Sequence, residues 1–362
     1  MPKYLYVPVL PVRRHAAEAY RDLRPAIRDG VTPLWSLPPH PEAGGARLAA
    51  AVRREVAEVS RVQSRGPAWL DAPFADGAQV PVLAEVLAEY AEFGSFRPVT
   101  GPLRPAAQQD AARATAVQCG RPLGIRVQVP GEWDPELAEA VGRLVARVRR
   151  SAEIELLIDL GSVLGDRPGA HKEALRALDA LVPLADWGSV VTIGGGFPQV
   201  TAAMLDRGLR EEPRRDWEVW HEIRRNLDGR LPALGFGDYG VQRVTALARP
   251  YRPDRPDQGG GPEWGYLRYT TDRSYALVKM VHRGPDRTRV NRRAAREILR
   301  LPDFRGAAAS SGECWLRDCA RALTHPAVRA GSDGPGTGNA GTWLRVGNVQ
   351  HMTHVVRSLG AL

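Results

Sequence analysis

Three aspartates stand at the ends of short apolar runs. Asp71 closes Ala68–Asp71, Asp159 lies near the end of Ile154–Leu160, and Asp238 follows the run Leu231–Phe236. Carboxylates gathered at strand ends can hold a divalent cation or share general acid–base work. Each can equally cap the backbone N–H groups of the segment after it. Arg126 and Gln128 alternate with Ile125 and Val127, so both polar side chains share one strand face. A guanidinium on a buried face is costly unless it meets an acid or an anionic ligand. Arg126 therefore joins Asp71, Asp159 and Asp238 as a candidate catalytic residue, with an Arg126–Asp159 ion pair as the structural alternative. The glycines Gly194, Gly195 and Gly196, with Gly237 and Gly240 further on, offer backbone N–H groups to a phosphate. Gln128, Tyr239, Arg13, Trp35 and, from a later hairpin, Arg268 complete the candidate ligand contacts. His15 could act as an acid or base. His351 and His354 are spaced to share a metal, but no third ligand lies near them in sequence, so no metal ligand is assigned. No cofactor is identified beyond a divalent cation that the aspartates could hold. No GxSxG, HExxH or P-loop pattern occurs.

These residues must be positioned by a repeated unit of apolar strand and amphipathic helix. The strands are expected at Tyr4–Leu10, Val31–Leu37, Ala68–Asp71, Phe96–Thr100, Leu123–Val129, Ile154–Leu160, Ser189–Ile193 and Leu231–Phe236. The last two are expected to stop at Gly194–Gly196 and at Gly237–Gly240. Helical spacing follows each, as in Val80–Phe93 and Ala106–Val117. A period of about 30 residues suits a βα unit, and strands alternating with helices predict a parallel sheet. Eight units predict an α/β fold closed as a (β/α)8 TIM-like barrel, with any active site at the C-terminal ends of the strands. An open doubly wound sheet is the alternative; no GxGxxG turn follows the first strand.

The barrel is expected over residues 1–245. Residues 246–362 read as an extension over the catalytic face: a loop over Pro250–Pro262, then strands Trp264–Thr271 and Tyr275–Val281 turning at Asp272–Ser274. Helices follow after an N-cap at Asn291, over Ser311–Leu323 and over Gly347–Leu359, with a Gly-rich loop at Gly331–Gly341. The hairpin either roofs the pocket with Trp264, Arg268 and Tyr269 or seals a side of the barrel. The 362 residues carry a net charge of +9, which points toward nucleic acid or phosphate. Only Lys3, Lys172 and Lys279 are lysines, so a coding bias toward arginine is the competing explanation. Three cysteines are too few for a disulfide framework. No apolar run reaches the roughly 18 residues of a membrane span, and no signal peptide is apparent, so a cytoplasmic protein without a membrane partner is expected.

Several segments together resemble the phage-type "beta protein" family. They are Tyr6-Val7-Pro8-Val9-Leu10 with Arg13-Arg14, Val31-Thr32-Pro33-Leu34-Trp35, Gly235–Gln242 with its Gly-Asp-Tyr core, and a tail with Thr342-Trp343, Gly347-Asn348 and His351–Val356. The likeness spans nearly the whole chain. It implies a setting in phages and in bacterial islands that look mobile or defence-related, with no defined activity. Members of that family often carry a lysine after the first strand; here the basic residue is Arg13, which cannot act as an amine nucleophile. Three functions follow as expectations: binding or processing a small anionic, phosphate- or nucleotide-like ligand at the barrel mouth; nucleic-acid binding as an accessory of a phage or antiviral-defence system with partner proteins; and a non-catalytic interaction module.

Overall fold

The computed structural model describes residues 5–41, 44–63, 66–93, 96–149, 151–231, 233–250, 263–321 and 336–361. Eleven strands are found there: β1 Tyr6–Pro11, β2 Leu34–Ser36, β3 Ala68–Asp71, β4 Phe96–Thr100, β5 Leu123–Gln128, β6 Ile154–Ser162, β7 Val190–Gly195, β8 Arg210–Pro213, β9 Gly235–Asp238, β10 Trp264–Thr270 and β11 Ser274–Val281. Strands β1 to β7 and β9 close into one barrel in chain order, with β9 pairing β1 and β7. Every barrel pairing is parallel. The chain is thus a (β/α)8 barrel, and the open sheet is excluded.

The chain forms two compact units. One contains residues 1–14, 29–197 and 215–251; the other contains 15–28, 198–214 and 252–362. In the barrel unit, helices bury one stripe each. Glu136–Val148 turns Leu137, Val141, Leu144, Val145 and Val148 inward, the spacing of a single apolar face. Ala106–Cys119 ends at Gly120, whose φ of 59° is the left-handed cap conformation that lets its N–H reach the Ala116 and Val117 carbonyls.

In the second unit, β8, β10 and β11 make an antiparallel sheet in the order β10-β11-β8. Trp315, Leu316, Trp343 and Val346 from helices Ser311–Arg321 and Ala340–Gly360 join Leu267, Tyr269 and Met280 in its core. No helix among the described residues is long and apolar enough to cross a membrane.

Several expected boundaries shift for physical reasons. Pro33 cannot donate to a ladder, so β2 begins at Leu34, preceded by a lone Tyr6–Val31 bridge. Gly194, Gly195 and Gly237 do not stop strands; they lie inside β7 and β9. At Gly237 a Cβ would lie 2.6 Å from the Ile193 side chain and 3.0 Å from the Val7 carbonyl oxygen, so lumen crowding requires the glycine. Asn291 is not an N-cap: helix Arg287–Leu299 begins earlier, and the Asn291 amide pairs with both backbone groups of Val281. The last helix starts at Ala340, capped by the Asn339 side chain. Strand β8 was not anticipated. Its residues are mostly exposed and charged, so no apolar alternation marks it. The expected loop at 251–262, residues 331–335 of the Gly-rich loop, Leu323 and Tyr4 lie outside the described residues.

Candidate functional site

Alternation along the strands sorts the barrel's polar residues. Trp69 and Asp71 of β3, Arg126 of β5, and Glu155, Leu157 and Asp159 of β6 share the lumen with Val7, Val9, Leu34, Val99, Val191 and Ile193. Two polar layers result.

Toward the strand N-termini, the Glu155 carboxylate accepts from Trp69 Nε1 at 2.9 Å, Arg97 at 2.6 Å and Ser189 Oγ at 3.3 Å. Burial pushes the Glu155 carboxyl above the usual carboxylate range, against the pull of Arg97. Gly124 makes room there, since a Cβ would stand 2.9 Å from Trp69 Cδ1.

The upper layer, at the strand C-termini, is the candidate site. Arg126 donates to Asp71 Oδ2 at 2.7 Å, to Asp159 Oδ2 from Nε at 3.0 Å and from a terminal nitrogen at 2.6 Å, and to the Tyr239 hydroxyl at 3.1 Å. Tyr239 in turn donates to the Asp159 carboxylate, 2.7 Å from its nearer oxygen, and Gly161 N–H donates to Asp159 at 2.9 Å. Arg104, which sequence reasoning missed, places a second guanidinium 3.3 Å from Asp71 and donates to the Ala72 carbonyl. Asp71, Arg126, Asp159 and Tyr239 are all buried. Burial works to discharge Arg126, but Asp159, Tyr239 and Asp71 hold its guanidinium well above its ordinary pKa. Burial and then Asp159 push the Tyr239 hydroxyl well above the usual phenol range.

Two carboxylates therefore face two guanidiniums in a closed set. Arg126 is already committed to both carboxylates and to Tyr239, so a substrate anion would have to compete with them for it. The arrangement ties the C-terminal ends of β3, β5, β6 and β9 together across the lumen. Above it, Val244 and Leu247 pack onto Tyr239, and a Cβ on Gly195 would overlap the Val244 side chain.

The remaining expected residues are placed apart from this set. Asp238 does not join Asp71 and Asp159. Tyr6, stacked on Phe236, donates to Asp238 at 3.1 Å, and Phe236 meets Trp217 and Trp220 of helix Arg215–Leu227. That is the face of β9 opposite Tyr239, and Asp238 also accepts from Gly240 N–H in a turn. Trp35 faces helix Gly45–Val62, near whose end Gln63 accepts its Nε1 proton at 3.2 Å. Gln128 is exposed at the end of β5. Arg13 donates to the Arg249 carbonyl at 2.5 Å.

Gly196 abuts Asp216, at the N-terminus of helix Arg215–Leu227, where a carboxylate already sits in the first turn. A phosphate at the glycine loop would meet that charge. Arg268 belongs to the second unit, its guanidinium 3.9 Å from the Tyr266 ring centroid.

The two tail histidines are buried and separately engaged. His351 pairs with Thr270 Oγ1 at 2.9 Å, and His354 Nδ1 pairs with Arg305, which also bridges to Glu313 at 3.1 Å. Burial first, then Arg214, Arg305 and His351, pull the His354 pKa down to about 2. Among the described residues no cluster of three or more His, Cys, Asp or Glu could hold a metal ion. The only signal for Glu155 was its position four residues before Asp159 in one strand, which places both on one face.

No curated protein sequence matches this chain. Among solved structures, the 3-keto-D-glucoside 4-epimerase of E. coli in its apo form aligns with a TM-score of 0.35 and 11% identity, covering 69% of this chain and 95% of that one. The family model described as Beta protein matches residues 6–357, nearly the full length. The chain belongs to the Beta protein family.

Proposed function

We propose that this barrel protein binds nucleic acid, in the phage or antiviral-defence setting that its family resemblance implies, through a basic surface on the second unit. The supporting observation is a local concentration of arginine. Residues 283–300 hold seven arginines against two acids, Asp286 and Glu297. Arginine makes up about one residue in eight of the whole chain and more than one in three of this stretch. A coding bias raises arginine throughout a chain and does not gather it. The stretch covers helix Arg287–Leu299, where the Arg289 and Arg293 side chains are 77% and 80% exposed. They pair with Asp286 and Glu297, the two acids that the stretch sets against its seven arginines. Such a face suits the phosphate backbone, whose recognition is electrostatic and salt-dependent.

The small anionic ligand expected at the barrel mouth is less well supported. It would compete with Asp71 and Asp159 for Arg126 and with Asp216 for the glycine loop. Fluorescence anisotropy with a labelled single-stranded oligonucleotide tests the reading. Binding that weakens steeply from 50 to 200 mM salt, to about the 10³-fold that several phosphate contacts give, is expected. Absence of binding at low ionic strength would discard it.

A further inference from the structure

Beside the basic helix, the second unit contains a polar cavity of about 380 Å³, at the lower end of the range of ligand pockets. We infer that this cavity takes a phosphate monoester, the group at the 5′ end of a nucleic-acid strand; the inference rests on the nucleic-acid reading above and names the chemical group this part of the surface would select.

Three segments build the cavity. Arg289, Arg293 and Glu297 come from one face of helix Arg287–Leu299, four residues apart in succession. Lys279 comes from β11, beyond Leu277, where pairing with β8 ends. Arg207 comes from the loop that leads into β8. Gly208, at φ of 98°, turns that loop, and its Cβ position lies 3.7 Å from Glu297 Oε2, so the loop lies against the helix. Val278, Val290 and Ala294 supply an apolar floor on which a sugar can rest.

The charges match a monoester better than an internal phosphodiester. Four cations line the cavity, against Asp206 and Glu297. Lys279 pairs with Asp206 at 2.6 Å and Arg293 with Glu297 at 3.5 Å. Arg207 has no ion-pair partner among the described residues, and Arg289 pairs with Asp286, which does not line the cavity. The lining is left with two surplus positive charges. A phosphate monoester carries about −1.5 to −2 at pH 7, with a second pKa near 6, whereas a phosphodiester carries a single charge.

The test compares two oligonucleotides of one sequence, 5′-phosphorylated and 5′-hydroxyl, on the full chain and on Arg207→Gln, which changes an exposed side chain. The phosphorylated strand is expected to bind about tenfold more tightly, the size of one added charge-assisted contact. That preference should shrink in Arg207→Gln and fade below about pH 6 as the monoester gains a proton. Equal affinity for two strands that both bind overturns the monoester pocket and leaves the proposed function standing. A preference that survives Arg207→Gln undiminished also overturns it. Failure of both strands to bind overturns the pocket and the nucleic-acid reading together.

Discussion

The Tyr239 hydroxyl lies 2.8 and 2.7 Å from the two carboxylate oxygens of Asp159, and both residues are 2% exposed. A hydrogen bond to a buried charged acceptor contributes more than a neutral one. Tyr239→Phe should therefore lower stability by about 1.5–3 kcal/mol, read from urea denaturation at neutral pH, with the barrel retained. Tyr239 adds an alkaline signature. Its pKa is raised on folding, so its contribution is intact below the unfolded value near 10 and is lost as pH rises through the folded value. The wild-type chain should lose stability above about pH 10, and Tyr239→Phe should lose less over the same interval. An unchanged alkaline slope would mean that Tyr239 titrates as in the unfolded chain.

Arg126 ties Asp71 to Asp159, and removing it takes away the cation paired with Asp159 and leaves Asp71 with Arg104 at 3.3 Å. Breaking a buried pair by deleting one partner costs about 3–5 kcal/mol, and Arg126→Met should show a loss of that size. Adding Asp159→Asn to that variant neutralises one orphaned charge. The double variant should be less destabilised than the sum of the two single changes, a coupling that urea denaturation of all four proteins measures. Additive losses would show that the network is not one electrostatic unit.

The barrel was legible because each expected apolar run overlaps one of its strands: β3 and β4 match their expected limits, while the last run meets β9 only at Gly235 and Phe236. Its mouth was legible in part. Arg126, Asp71 and Asp159 converge because alternation fixes which side of a strand each residue occupies. Asp238 deceived by one position. It ends β9 one residue before Tyr239, and a single-residue offset sends a side chain to the other face. Arg104 was invisible because it reaches Asp71 from an irregular segment, which has no period to read. The glycines suggested phosphate; in the fold, Gly195 lies against Val244, Gly237 against Ile193 and Gly196 against Asp216, close approaches that also call for glycine. The tail histidines, spaced to share a metal but assigned none for want of a third ligand, each have their own tertiary partner: Thr270 for His351 and Arg305 for His354.

His354 makes the second unit acid-sensitive. Its folded pKa of about 2 lies below the ordinary 6.5, so the folded chain keeps it neutral while the unfolded chain takes up a proton. Stability is intact above about pH 6.5 and falls as pH drops toward 2. At two pH units below 6.5 the loss approaches roughly 2.7 kcal/mol from this one group. His354→Asn keeps an acceptor near the Nδ1 position for Arg305 and cannot titrate. It should flatten the pH dependence of the denaturation midpoint between pH 7 and 5 relative to wild type. A variant that tracks the wild-type curve would assign the acid sensitivity to other groups.

The salt dependence of oligonucleotide binding separates a working basic face from a compositional one. Each phosphate contact to a single strand adds about 0.7 to the magnitude of the slope of log K against log salt. Arg289→Gln with Arg293→Gln removes two exposed cations from helix Arg287–Leu299, so the slope should shallow by about 1.4. Arg143 is the control. Its side chain is 72% exposed on a barrel helix, and its ion pair with Glu139 is a weak surface pair. If the arginines act only through bulk charge, Arg143→Gln should weaken binding about as much as either change on the basic helix. If helix Arg287–Leu299 makes the contact, Arg143→Gln should change slope and affinity far less than either change on that helix, because only cations that neutralise phosphates contribute to the slope.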